Sequence, residues 1–353
     1  MLIFYALTLI IAIIHKLTQK KCIMNFPMLM RNTENNKYSL DTLKFFLSIM
    51  VVFIHSRIFL DSSVFLDTFT SNGIFRIAVP IFFVINGYYL PIDKNKFKSW
   101  LYSSIILYLS LTIFYCYFWV DRSSIQAIIE SIILKTTTGF LHLWYIQAMI
   151  IAGIIIYTIG KYKYILQLSI VLFILGWCLQ LYHSYQYVYD QTTSYNYQIY
   201  RNALTIALPF MIIGKSLRNV QFSTFKKHSL FIFGLVSFSF EIYLNYYYFS
   251  SRQINNITLT FDVYLSLIFI CPFIFVCAMN LNYGVNINRK IPNYIYFIHP
   301  LPMLIFNRFM PDSDRILVSF MIAIVSILIS YAFLKLSPRI NNIVKFKTKT
   351  SVS

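Results

Sequence analysis

Ten apolar runs organise this chain, at roughly 43–60, 73–90, 100–120, 141–160, 164–182, 202–216, 230–250, 261–281, 291–309 and 316–336. A bilayer core takes about 20 residues of helix, and backbone at that depth must satisfy its own hydrogen bonds, so such runs fold as helices. The period-2 alternation of an outer-membrane barrel is absent. Charged residues make up only 12% of the 353 positions and hydrophobic ones 58%; a soluble domain carries about 25% charge. The sequence therefore predicts an all-α polytopic membrane protein of about ten transmembrane helices.

The loops give that bundle an orientation. Lys16, Lys20, Lys21, Arg31, Lys37 and Lys44 precede or open the first run, and Lys94, Lys96, Lys98, Lys161 and Lys163 follow the second and fourth. Lys215, Arg218, Lys226, Lys227, Arg289, Lys290 and the tail Lys335, Arg339, Lys345, Lys347 and Lys349 continue the same side. The other side holds fewer basic residues and most of the acids. Basic loops stay in the cytoplasm, so both termini are expected there. The net charge of +18 is accordingly topological; no stripe or motif for nucleic acid accompanies it. The five cysteines form no CxxC or Cys/His cluster, so neither a disulfide framework nor a metal site is expected.

Three segments follow from this reading: a cytoplasmic piece over 1–38, a ten-helix domain over 39–337, and a basic cytoplasmic tail over 338–353. The short apolar stretch 1–14 is read either as a surface helix or as sequence ahead of a later start at Met24, Met28 or Met30.

Ionisable residues at membrane depth are expensive and mark functional sites. In the first run Lys44 and His55 are eleven residues apart, close to three helical turns, which puts them on one face about 16 Å apart along the axis. A cation at the mouth suits a phosphate, and a neutral imidazole deeper in can take a proton from a hydroxyl. The bland alternatives are a snorkelling lysine and a helix-packing histidine. Arg76 and Arg201 open later runs as anchors or site cations. Asn86-Gly87 lies near a helix end, where close packing also explains a glycine. His142, Trp144 and Tyr145 stand at a boundary where an aromatic belt is the simpler account. Glu241 is the carboxylate set well inside an apolar run, and His299 lies mid-depth before Pro300 and Pro302, residues that kink a helix beside a cavity.

Five segments resemble, in order, those of the acyltransferase family 3 membrane proteins. Asp41, Lys44 and His55 fit the first-helix pattern; Arg76, Phe82, Phe83 and Gly87 fit the arginine-to-FFxxSG segment, with Asn86 where the family has Ser. HLWYI, RNALTIALPFMIIGK and IYFIHPLP fit later segments. The resemblance implies transfer of an acyl group, usually acetyl from acetyl-CoA, to a hydroxyl of a lipid-linked or other cell-envelope glycan, in a bacterial inner membrane and without a metal. It implies His55 as the key catalytic residue, with Lys44, Arg76 and His299 beside it. Lys44, Asp41, Asn86 and Gly87 are the residues for the donor, and Trp144, Tyr145, Arg201 and Glu241 those for the acceptor. A polysaccharide polymerase or an exporter is the alternative reading of a polytopic chain of this size.

Overall fold

The computed structural model describes residues 34–190, 196–219, 224–252, 259–281, 284–311 and 313–350; the readings made for 1–33 and for Cys22 fall outside them. All regular structure among the described residues is helical: α1 (Glu34–Ser56), α2 (Val64–Thr70), α3 (Ala78–Tyr89), α4 (Lys94–Phe114), α5 (Cys116–Trp119), α6 (Ile125–Thr138), α7 (Trp144–Ile159), α8 (Ile165–Tyr185), α9 (Leu208–Ser216), α10 (Thr224–Tyr248), α11 (Leu267–Asn280), α12 (Ile291–Ile298), α13 (Pro300–Phe309) and α14 (Arg315–Thr350). Among the described residues, six stretches are long and apolar enough to cross a membrane: Tyr38–Ser56, Val64–Tyr89, Lys94–Phe114, Leu141–Ile159, Ile165–Asp190 and Arg315–Leu336; Ala203–Ser216 and Leu267–Asn280 are shorter apolar helices.

Two helices form the centre. α3 packs along α9, α11 and α1, while α1 also meets α11, α12 and α14. The α3–α9 crossing is close because glycines face backbone on both sides. A Cβ on Gly87 would lie 1.9 Å from the Met211 carbonyl oxygen, and one on Gly214 would lie 2.0 Å from that of Val84. Small residues that let backbones touch are the usual device where no hydrophobic difference between lipid and side chain drives helices together.

Hydrogen bonds join the loops in two groups. Around Lys44, Ser39 bonds the Ala278 and Leu281 carbonyls, Arg218 bonds those of Gly87 and Leu90, and Lys215 that of Gly160. Beyond His55, Arg57 pairs with Asp67, Asn72 with the Leu259 carbonyl, and Arg315 with Asp61.

Several runs depart from single helices; the third, 100–120, breaks at Tyr115 between α4 and α5. The eighth, 261–281, enters as irregular chain and becomes helical only at Leu267. Leu259, Phe261, Val263 and Tyr264 on this entry are almost fully buried. Irregular backbone at such depth needs partners from protein. Gln180 supplies them, its Oε1 accepting from the amides of Asp262 and Val263 and its Nε2 donating to the Val263 carbonyl. The sixth run opens with a π-turn over Ala203–Ala207. The ninth breaks at His299 between α12 and α13, since Pro300 and Pro302 offer no amide hydrogen. Conversely, α14 runs on through Thr350, so the segment 338–350 continues the last helix. α6, outside all ten runs, exposes Ile125, Ile129, Ile132, Ile133 and Leu134 and is too short to span.

Candidate active site

α1 ends one residue after His55, because Arg57 takes a left-handed conformation (φ 51°) of the kind that terminates helices. Its guanidinium pairs with Asp67 of α2. This termination leaves His55 half-buried on the wall of a small chamber of about 30 Å³, lined also by Arg76, Trp144, Arg201, Asp262 and Tyr296.

The chamber is cationic. Arg76 is held by the Ser71 carbonyl at 2.8 Å, by Asn72 Oδ1 at 2.8 Å and by an ion pair to Asp262. Arg201 reaches the other carboxylate oxygen of Asp262 at 3.7 Å, lies 3.8 Å above the Tyr197 ring and 5.3 Å from that of Trp144. Two guanidinium groups thus share one carboxylate, leaving the chamber with one positive charge in excess. Such fixed donors in a site shielded from water stabilise a developing oxyanion far better than water does.

Behind His55 stand two more histidines. The His299 ring centre is 5.2 Å from that of His55, and His142 is 5.1 Å from His299. Both are fully buried, so the aromatic-belt account of His142 is corrected: Leu141, at φ 47°, turns the chain inward and seats His142 against Tyr115 and Tyr296. A leucine in the left-handed region is strained.

A wider cavity of about 140 Å³ adjoins the chamber at Tyr296 and is lined by Asn86, Trp100, Ser103, Ser104, Tyr145, Tyr294 and Lys290 among others. Lys290 in turn borders a mouth of about 370 Å³ with Tyr38, Asp41, Asn288 and Arg289. Tyr296 is thus a wall residue of both the chamber and the wider cavity, and Lys290 of both the wider cavity and the mouth.

The sequence-predicted residues fall into separate places. His55, Arg76, Trp144 and Arg201 meet at the chamber, with His299 directly behind. Tyr145 and Asn86 bond each other beside the wider cavity. Asp41 and Lys44 pair at 3.3 Å near the mouth, where Lys44 is buried. Gly87 packs on α9 and lines none of these spaces. Glu241 is elsewhere: its carboxylate accepts from the amides of Leu265 and Ser266 and from the Ser266 hydroxyl, capping the start of α11. Sequence reasoning missed Asp262 and Tyr296. Asp262 was detectable as a carboxylate flanked by apolar residues on both sides in LTFDVYLS. No group of three or more His, Cys, Asp or Glu that could hold a metal occurs among the described residues.

A model of the acyltransferase family 3 domain, described as an acyltransferase domain, matches residues 37–335. Two curated amino-acid racemases of Enterococcus faecalis are similar to the chain. One is 30% identical over 130 residues, covering 33% of this chain and 18% of the racemase. The other is 25% identical over 241 residues, covering 59% and 32%. The chain spans about a third or less of the length of these relatives, and no solved structure matches. With the family match extending from the start of α1 to the middle of α14 and enclosing every residue of the histidine–arginine chamber, the chain belongs to the acyltransferase family 3 membrane proteins.

Proposed function

We propose that this membrane acyltransferase moves acetyl from acetyl-CoA to a hydroxyl of a cell-envelope glycan, with His55 as the base or acyl carrier. The observation that carries the reading is the chamber itself: a half-buried imidazole facing two guanidinium groups. A hydroxyl that hydrogen-bonds a neutral imidazole becomes a competent nucleophile towards a thioester. The carbonyl oxygen that gains charge in that step needs donors, and Arg76 and Arg201 stand ready for it.

The donor route rests on the succession of cavities. With ten crossings and both ends cytoplasmic, in a bacterial inner membrane, the Asp41–Lys44 mouth with Arg289 and Lys290 faces acetyl-CoA. Its phosphates would rest on these cations. The separation of about 16 Å along α1 is comparable with the length of a pantetheine arm. The acyl group would then reach Tyr296 and His55, while the acceptor sugar meets the chamber from the opposite end, between Trp144 and Tyr197. Asn86, in the wall of the wider cavity, would line the arm's path.

The experiment is genetic and chemical together. A strain carrying His55→Ala should lose O-acetyl signals from its surface glycan by NMR and keep normal glycan chain length. Shortened chains would favour a polymerase, and an intact acetyl pattern would overturn the reading. Incubating purified protein with acetyl-CoA alone and searching for acetyl-histidine by mass spectrometry decides between a covalent carrier and direct transfer. The racemase relatives bear that name as longer proteins, and racemisation is not proposed for this chain.

A further inference from the structure

The break at His299 does more than kink a helix. Pro300 has no amide hydrogen, so the Tyr296 carbonyl four residues earlier loses its helical partner. His299 Nδ1 fills that vacancy at 2.9 Å, with the Ile295 carbonyl at 3.3 Å. A carbonyl oxygen only accepts, so Nδ1 carries the hydrogen. A neutral imidazole has one such hydrogen, which leaves Nε2 as a bare lone pair. That Nε2 is buried and has no hydrogen-bond partner, an unfavourable situation that calls for an explanation.

The lone pair has an obvious customer. His55 is 5.2 Å away between ring centres, with 35° between planes. A ring nitrogen sits about 1.1 Å from its centre, so two nitrogens aimed at each other would stand about 3 Å apart, a normal hydrogen-bond length. The two rings are not bonded in this structure. His55 borders the chamber, whereas His299 is held by its carbonyl bonds and packed against the His142 and Tyr296 rings at 5.1 and 6.0 Å.

Resting on the acyl-transfer reading above, we propose that His299 is a positioning residue that determines which nitrogen of His55 carries the proton. The N–H of His55 donates to His299 Nε2, and the opposite nitrogen of His55 is thereby left unprotonated towards the chamber. A general base oriented by a third group is a recurrent catalytic arrangement. Here the orienting group is a neutral imidazole whose own tautomer is set by a proline. In the reaction, the free nitrogen of His55 takes the proton of the acceptor hydroxyl, and the oxygen forms its bond to the thioester carbon. The carbon–sulfur bond then breaks, and the departing thiolate takes the proton back from His55. The bond to His299 persists throughout. Arg76, Arg201 and Asp262 from the chamber, and His142 and Tyr296 from the packed side, are other charged or titratable groups facing these rings.

Two variants test it in nanodiscs with ¹⁵N-labelled histidine. His299→Asn puts an amide nitrogen where Nδ1 was, keeps the donor to Tyr296 and has nothing at the Nε2 position; His299→Gln places an acceptor near Nε2. The ¹⁵N spectrum should show one His55 tautomer in the parent protein, a mixture in the Asn variant and recovery in the Gln variant. With acetyl-CoA and acceptor, kcat should fall about 100-fold for Asn, with KM for acetyl-CoA unchanged and part of kcat returning for Gln. An identical His55 spectrum in the parent and the Asn variant would overturn the proposal. A parent protein that transfers acetyl to no hydroxyl acceptor would instead overturn the functional reading, while the substrate-free spectra still test the His55–His299 bond.

Discussion

Replacing Asp262 by Asn isolates the electrostatics of the chamber, because the side chain keeps its shape and loses only its charge. The side chains of Asp262 and Arg76 are each 8% exposed, so neither charge has water to fall back on. Breaking a buried pair by neutralising one partner costs about 3–5 kcal/mol. Arg201, 3.7 Å from the second carboxylate oxygen, loses its counter-charge in the same change. Its contacts with the Tyr197 and Trp144 rings are present before and after and do not offset this. The single variant should therefore lose at least about 3–5 kcal/mol of stability. In Arg76→Gln/Asp262→Asn one charge of each sign is gone and the chamber returns to its original excess, so more than half of the loss should be regained. Reversible unfolding in mixed detergent–SDS micelles, followed by tryptophan fluorescence, measures both. An Asp262→Asn variant within about 0.5 kcal/mol of the parent, the range of a surface change, would refute the shared-carboxylate account.

Gly214→Ala drives a methyl group into the Val84 carbonyl and should destabilise by about 1–3 kcal/mol. Gly234→Ala meets only the Ile270 and Phe269 side chains and the Ile270 amide nitrogen at 2.9 Å and beyond, and should cost less; thermal unfolding of the two proteins compares them. Gln180→Leu strips three hydrogen bonds from the buried chain at 262–263 and should lower stability by about 1–3 kcal/mol per stranded group, with accelerated proteolysis of the 259–266 segment as a second readout. Lys44→Ala should raise KM for acetyl-CoA about tenfold, equivalent to about 1.4 kcal/mol, at unchanged kcat; unaltered donor affinity would remove Lys44 from the phosphate site.

Much of the fold was legible before any coordinates. Apolar length depends on solvent rather than on partners, so the helical class and helices long enough to cross a membrane follow from local composition. The Lys44–His55 spacing was equally readable, since three turns of helix need no tertiary information. Pro300 and Pro302 announced the break in the ninth run, because a missing amide hydrogen is a property of the residue itself.

The candidate site was legible only in part. Arg76 and Arg201 looked like interfacial anchors because each stands at the end of a run, and only packing shows that they turn inward onto one carboxylate. Asp262 was missed because period and hydropathy cannot distinguish a buried irregular entry from the first turn of a helix. His142 is adjacent to Trp144 and Tyr145, a pattern shared with any membrane interface, until the left-handed Leu141 turns it inside. Glu241 misled in the opposite direction: a carboxylate inside an apolar run signals a buried partner, but two backbone amides and a serine meet that need as well as a substrate does.

What the amino-acid sequence alone determined was therefore a helical membrane chain with a cation and a histidine on one face of its first helix. The tertiary structure decided that three histidines from α1, the α6–α7 turn and the α12–α13 break stand in line, and that two arginines share one acid beside them. Those groups are separated by up to 244 residues, and no local pattern couples them. Their juxtaposition comes from glycine-close helix crossings and from buried polar backbone that must find partners, both of which depend on the whole packed bundle.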